Sequence, residues 1–185
     1  AIVKGVPGWD VEGAWPRLVA QARGEGTIPY NARPAIAELE SLGFIPADLV
    51  GGSVAWQLEL AWADQALALA AQTVGDEASA AHFAWRARLY TNLYDAEVGW
   101  FHARYSDGSF KEDLDPVGWE DEYVEGNAWQ YLWLAPWDWE RLGTVLGGEE
   151  VARGRLTEFF ELAVAEGVLL GPGAYYWHGN EPDIH

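Results

Sequence analysis

The sequence predicts an all-α protein of paired, antiparallel helices joined by long aromatic loops. Three observations predict it. Apolar residues recur at three- and four-residue steps, the mark of helices that bury one face. Helix-start and helix-stop residues bound those stretches: Asp10, Ser53 and Asp76 at beginnings, Gly24, Gly43, Gly75 and Gly167 at ends. No alternation of period two persists beyond a few residues.

Taken in order, Asp10 caps a first helix reaching about Arg23, stopped by Gly24 and Gly26. A stretch punctuated by Pro and Gly follows, in which Pro34 starts a short helix over 35–42. Ser53 caps a long helix, 54–74, with Leu58, Ala61, Trp62, Gln65 and Leu69 on one face. Gly75 ends it and Asp76 caps the next, 77–94, whose shared face carries Phe83, Ala87, Tyr90 and Tyr94. The two-residue Gly-Asp junction folds this pair into a hairpin. Between Asp95 and Glu120 the helical period vanishes, and Ser106-Asp107-Gly108 signals a small loop or hairpin. Helix resumes over 122–134, breaks at Pro136, and resumes over 149–166 with a stripe of Ala152, Leu156, Phe159, Phe160 and Ala163 and a C-cap at Gly167.

Composition narrows the function. The chain has 185 residues, of which 50% are hydrophobic, so it is not a disordered chain despite a net charge of −18. That charge excludes nucleic acid and anionic membrane as partners, since both want a basic face. No apolar run reaches the ~18 residues of a spanning helix. With no Cys there is no disulfide framework, thiol nucleophile or Cys-ligated zinc. The length suits one domain. The chain starts without Met or a signal peptide and stops without a terminal helix, which reads as a piece of a longer protein.

Basic catalysts are scarce. His82 lies within a helix and reads as packing, His102 sits in the irregular loop with no obvious partner, and His178 and His185 bracket the terminal segment. No His pair has helix-neighbour spacing, and no Ser lies in a nucleophile elbow. Carboxylates and aromatics instead cluster twice, over 119–131 and over 175–182. On a helix, Tyr123, Asn127, Gln130 and Tyr131 share a side, with Glu125 near the N-terminal end. Such mixtures suit sugars: rings pack on pyranose faces, and amides and carboxylates take the hydroxyls. The plainer reading of Glu120–Glu122 is a solvated acidic helix start, and that of most of the 12 Trp is core packing. A Glu held against aromatic walls, as Glu125 is on this reading, would keep its proton and suit general-acid work on a glycoside.

The residues Tyr123-Val124-Glu125-Gly126-Asn127-Ala128-Trp129-Gln130-Tyr131, followed by His178-Gly179-Asn180-Glu181-Pro182, resemble glycoside hydrolase family 92, the calcium-dependent exo-acting α-mannosidases. Leu42-Gly43-Phe44-Ile45-Pro46-Ala47-Asp48, the stretch Ser53 to Asp64, Asn92-Leu93-Tyr94-Asp95, Gly99-Trp100-Phe101 and Gly147-Gly148 fit the same pattern, so the similarity runs over nearly the whole chain. The resemblance implies an (α/α)6 toroid, here incomplete, and inversion at the anomeric carbon. It implies Glu125 as general acid, and Gln130, Asn180 and Glu181 as calcium and sugar-hydroxyl ligands. Trp129, His178, Tyr123 and Trp119 follow as substrate contacts. Oxygen-only donors suit calcium. The implied partners are mannose-containing glycans and the remaining domains of the same parent chain, in an extracellular or periplasmic setting.

The chain departs from the family pattern in two respects. Trp137, between Pro136 and Asp138, stands where many members carry His. The family's general-base aspartates lie downstream of the His-Gly-Asn-Glu-Pro motif, and its N-terminal β-sandwich precedes this region, so residues 1–185 contain neither. The expectation is that these residues alone are inactive or nearly so. Two other readings stay open: another helical-toroid glycosidase, glucoamylase-like or trehalase-like, and a non-catalytic sugar-binding helical domain.

Overall fold

Local capping sets several of the helix boundaries. The structure, a computed structural model, describes residues 2–8, 10–25, 33–167 and 173–177. Helix α1 spans Val11–Ala22, and the Asp10 carboxylate accepts from Gly13 N at 3.0 Å. Helix α2 is Ile36–Leu42 and ends on Gly43. Helix α3 spans Ser53–Val74, and Gly75, at φ +80°, ends it in the left-handed region. Helix α4 is Glu77–Arg86, where Asp76 accepts from Ser79 N at 3.0 Å. Helices α3 and α4 form the expected hairpin.

Three boundaries differ from the sequence reading. Ser53 is not a cap: Gly52 holds that position, and the Ser53 hydroxyl is buried with no partner. The amides at this end are taken by a distant loop, Gly52 N donating to Asp121 O at 2.8 Å and Ala55 N to Glu122 O at 3.2 Å. Helix α4 stops eight residues short of 94, and a 3-10 turn, Leu89–Leu93, follows. Its carbonyls are diverted from a helical ladder, Leu89 O to the Gln57 amide at 2.8 Å and Leu93 O to His102 N at 2.8 Å. The helix expected over 122–134 shrinks to α5, Ala128–Tyr131. Glu125 at φ +53° and an extended Asn127 break it on the N-terminal side.

The irregular stretch contains the expected small hairpin. Strands β1 (Tyr94–Asp95) and β2 (Trp100–Phe101) pair antiparallel with Tyr94 opposite Phe101, and a second turn brings Arg104 opposite Phe110. A 3-10 turn at Pro136–Asp138 leads into α6, Trp139–Val145, and α7 runs over Glu149–Glu166 to Gly167 at φ +64°. In α7, Ala152 and Phe159 are buried as expected, but Phe160 is 45% exposed and leans on Tyr176. Leu69 likewise leaves the predicted α3 face, at 43% exposed. Helix α3 is buried on several sides, so one stripe does not describe it: Gln57 and Asp64 are as shielded as Leu58 and Ala61.

The main core joins Val54 and Leu58 of α3, Tyr90 and Leu93, Phe101 of β2, Trp129 and Leu132, Leu142 of α6 and Phe159 of α7. The aromatic loop segments are therefore part of the core and not draped over it. Trp137 belongs here too. Its indole stacks on Trp62 at 5.9 Å and meets Tyr90 edge-on at 6.1 Å, which gives this aromatic residue a packing role.

Candidate active site

The stretch 119–131 approaches α5 through a series of pinned turns. Lys111 Nζ pairs with Glu122 and lies 3.7 Å from Glu120. The hydrogen bond to Glu122 is the main reason the Lys111 ammonium titrates above its usual value. Glu122 is only 5% exposed and no helix begins at 120–122, so the solvated acidic helix start is not found, although Asp121 is exposed. Tyr123 follows, 6% exposed, its hydroxyl donating to Phe101 O at 2.6 Å, and burial pushes its phenol well up. Tyr131 OH reaches back to Val124 O at 2.6 Å, and the two tyrosine rings lie 5.3 Å apart. The backbone on either side of Val124 is thus fixed from beneath.

Glu125 stands on this fixed base at the surface, with a left-handed backbone that few side chains adopt. The aromatic enclosure expected around it does not follow from a shared helix face, because Glu125 and Tyr123 precede α5. Gly126 next to it needs its missing side chain: a Cβ there would lie 2.9 Å from both Gln130 Oε1 and the Tyr131 ring.

Two buried amides tie α5 to residues 173–177. Asn127 caps α5, its Oδ1 accepting from Gln130 N at 3.2 Å, while its Nδ2 donates to Ala174 O at 2.8 Å. Gln130 Nε2 donates to Tyr175 O at 3.0 Å and Gly173 O at 3.3 Å. Glu166 of α7 accepts from Ala174 N through both carboxylate oxygens at 3.1 Å.

The expected site residues separate into three groups. Glu125 and Trp119 are at the surface, Trp119 at 51% exposed. Tyr123 and Trp129, expected as substrate contacts, are buried side chains here, at 6% and 8% exposed. Trp129 packs on Trp100, Tyr175 and Phe159 at 4.8, 5.5 and 6.1 Å, and Tyr123 spends its hydroxyl on Phe101. His178, Asn180 and Glu181 lie outside the described residues. Among the described residues no group of three His, Asp or Glu side chains could hold a metal. Gln130 Oε1, however, is buried without a partner, an oxygen donor of the kind a hard cation takes.

His102 does have a partner. Its Nδ1 lies 3.2 Å from Asp95 Oδ2, and its ring stacks on Phe110 at 5.7 Å. The pair lines an open cavity of about 1050 Å³ with Tyr94, Phe110, Lys111 and Glu120; Glu125 does not line it. Only the β-hairpin register brings Asp95 and His102 together, so spacing along a helix could not reveal it. The double role of Asn127 left a fainter signal, an N-cap residue three positions before Gln130.

The description of the glycosyl hydrolase family 92 catalytic domain matches residues 1–185, the whole chain. The chain belongs to glycoside hydrolase family 92. Among solved structures, a family 92 inverting mannosidase of Bacteroides thetaiotaomicron superposes with a TM-score of 0.84 at 27% identity, covering 97% of this chain and 26% of that one. A family 92 α-mannosidase of the same bacterium superposes at 0.83 with 34% identity, covering 98% of this chain and 23% of that one. Its complex with mannoimidazole gives 0.82 at 29% identity, covering 98% and 25%. No relative among curated proteins matches. This family 92 chain therefore spans about a quarter of the length of the solved structures it matches.

Proposed function

We propose that this family 92 chain is the acid-bearing part of an inverting, calcium-dependent α-mannosidase that removes terminal α-linked mannose from glycans outside the cytoplasm, and that its hairpins belong to an (α/α)6 toroid. The observation that carries the reading is the whole-chain family match, together with the backbone agreement with two mannosidases, one of them bound to mannoimidazole.

In this reading Glu125 protonates the departing glycosidic oxygen. Its left-handed turn presents it at the surface, and Tyr131 and Gly126 hold the backbone on either side. Inversion needs a second carboxylate on the opposite face, ~6.5–9.5 Å away with a water between. That base, and the β-sandwich that lends residues to the cleft, are assigned to the rest of the parent protein, so residues 1–185 alone turn over little. His178 and Trp119 contact the sugar. Gln130 Oε1, Asn180 and Glu181 would hold calcium, which when bound braces the mannose hydroxyls and favours a distorted ring. Trp137, where many members carry His, leaves aromatic packing in place of a polar group at that position and alters linkage preference.

The test is mannose release from an α-linked mannobiose by the protein expressed from its full reading frame, compared with its Glu125→Gln variant. An acid catalyst loses about 10²–10⁴-fold on mannobiose and far less on a dinitrophenyl mannoside, whose leaving group needs no proton. Equal losses on both substrates would remove Glu125 from the acid role. A protein that binds mannosides without releasing mannose would be a binding module.

A further inference from the structure

Helix α3 starts without a side-chain cap and is stitched instead to the loop that carries Glu125. Gly52 N donates to Asp121 O at 2.8 Å and Ala55 N to Glu122 O at 3.2 Å. This pairing brings the first turn of α3 beside residue 124, and Gly52 makes the close approach possible. It sits at φ +67°, and a Cβ there would lie 3.0 Å from Val124 Cγ2 and 3.7 Å from Trp56 Cδ1. Val124 and Trp56 thus flank one buried glycine. Around Trp56 the chain faces inward: Ser53, Val54, Ala55, Gln57 and Leu58 are at most 3% exposed. Trp56 itself is 41% exposed and Val124 51%. An indole is among the largest apolar groups a fold can bury, and this one stands half in water. Among the described residues no ring stacks on its face. Glu125 follows Val124 in the chain and is exposed, as is Asp121.

We infer that Trp56, with Val124 beside it, is a binding platform for the leaving-group sugar, the pyranose on the far side of the bond that Glu125 protonates. The inference rests on the acid assignment proposed above. An acid at the glycosidic oxygen touches the atom shared by two rings, so the groups flanking the acid meet one of them. The mannose being released is recognised through its hydroxyls, by polar groups. A half-exposed indole offers the opposite, a flat apolar face that packs on the C–H face of a pyranose. Its Nε1–H, at the edge of that face, supplies one donor to a ring hydroxyl. An exposed platform also suits the ring that departs into water. The neighbouring carboxylates of Asp121 and Glu125, and the net charge of −18, select a neutral sugar over an anionic one.

The experiment uses the protein expressed from its full reading frame, with Trp56→Ala and Trp56→Phe. Two substrates are compared: an α-linked mannobiose, whose leaving group is a pyranose, and α-mannosyl fluoride, whose leaving group has no ring. Trp56→Ala is expected to raise KM on mannobiose about five- to tenfold. The ratio of kcat/KM on mannobiose to kcat/KM on the fluoride is expected to fall by the same factor. Trp56→Phe keeps an aromatic face and is expected to recover most of that ratio. Both substrates meet the same protein sample, so any unfolded fraction of a variant cancels from the ratio. An unchanged ratio in Trp56→Ala, or one that Trp56→Phe leaves equally low, would overturn the platform while the acid assignment stands. A wild type that releases mannose from neither substrate would overturn the mannosidase reading and the platform with it.

Discussion

Arg86 donates two hydrogen bonds to the Asp64 carboxylate, Nε to Oδ2 at 2.7 Å and Nη2 to Oδ1 at 2.9 Å, and both side chains are sealed from water. The same guanidinium donates to Glu40 of α2 at 2.8 Å and to Ala22 O, the last residue of α1, at 2.7 Å. Arg33 adds a second cation on Asp64. One side chain of α4 thus joins four helices. Burial pulls the Arg86 proton affinity down, but the Asp64 and Glu40 carboxylates outweigh it and hold it above the usual value.

Asp64→Ala should therefore strip a buried guanidinium of its main counterion and cost about 3–5 kcal/mol. Urea unfolding is expected to show a lower midpoint with an unchanged m-value. A loss under about 1 kcal/mol would mean that water or Glu40 replaces Asp64 without penalty.

Asp76 supplies the acid-sensitive element. Its carboxyl lies below the ordinary 3.8, first because Ser79 N donates to it, then through the Ser79 hydroxyl and Trp15 Nε1 at 3.0 Å. A group whose proton affinity falls on folding stabilises the fold above its unfolded pKa. That contribution is lost as pH drops from about 4 through the still lower folded value. Asp76→Asn keeps a cap oxygen and removes the titration. The variant should melt below the wild type near neutrality, and the gap should close below pH 4 because only the wild type loses stability through this group. Parallel acid curves would refute the assignment.

Gly126 is needed for space and not for backbone freedom. Gly126→Ala would place a methyl 2.9 Å from Gln130 Oε1 and from the Tyr131 ring, and overpacking of this kind costs about 1–3 kcal/mol. The melting temperature of the variant should fall, and mannoside turnover by the full-length protein with it, because the displaced groups are the ones under Glu125.

Calcium removal tests the ligand proposal without relying on turnover. A chelator should lower the melting temperature of the full-length protein, and calcium restored to about 100 times its Kd should return about 2.7 kcal/mol. Magnesium should not substitute, since it demands a tighter octahedral shell than a site built from amide and carboxylate oxygens supplies. A melting curve indifferent to chelator would exclude calcium from this site.

Much of the fold was legible from short-range chemistry. Asp10 and Asp76 cap helices through amides three residues away, and Gly75 and Gly167 end helices on the spot, so these features depend on immediate neighbours alone. The motif around Glu125 was equally legible, because motif identity is a property of residue order. The surroundings of Glu125 were not legible from helix periodicity, because that reasoning took the stretch from 122 as one helix.

What the sequence by itself determined, then, is where helices capped by their own near neighbours start or stop, as at Asp10, Asp76, Gly75 and Gly167, and which residues form the family's two motifs. The tertiary structure alone decided that 122–127 is not helical. There the backbone carbonyls of Asp121 and Glu122 serve the amides of Gly52 and Ala55, and the buried Asn127 amide reaches Ala174, 47 positions away. A cap is settled within one turn of chain. A buried carbonyl must be satisfied wherever a donor arrives, and that place exists only once the chain has folded.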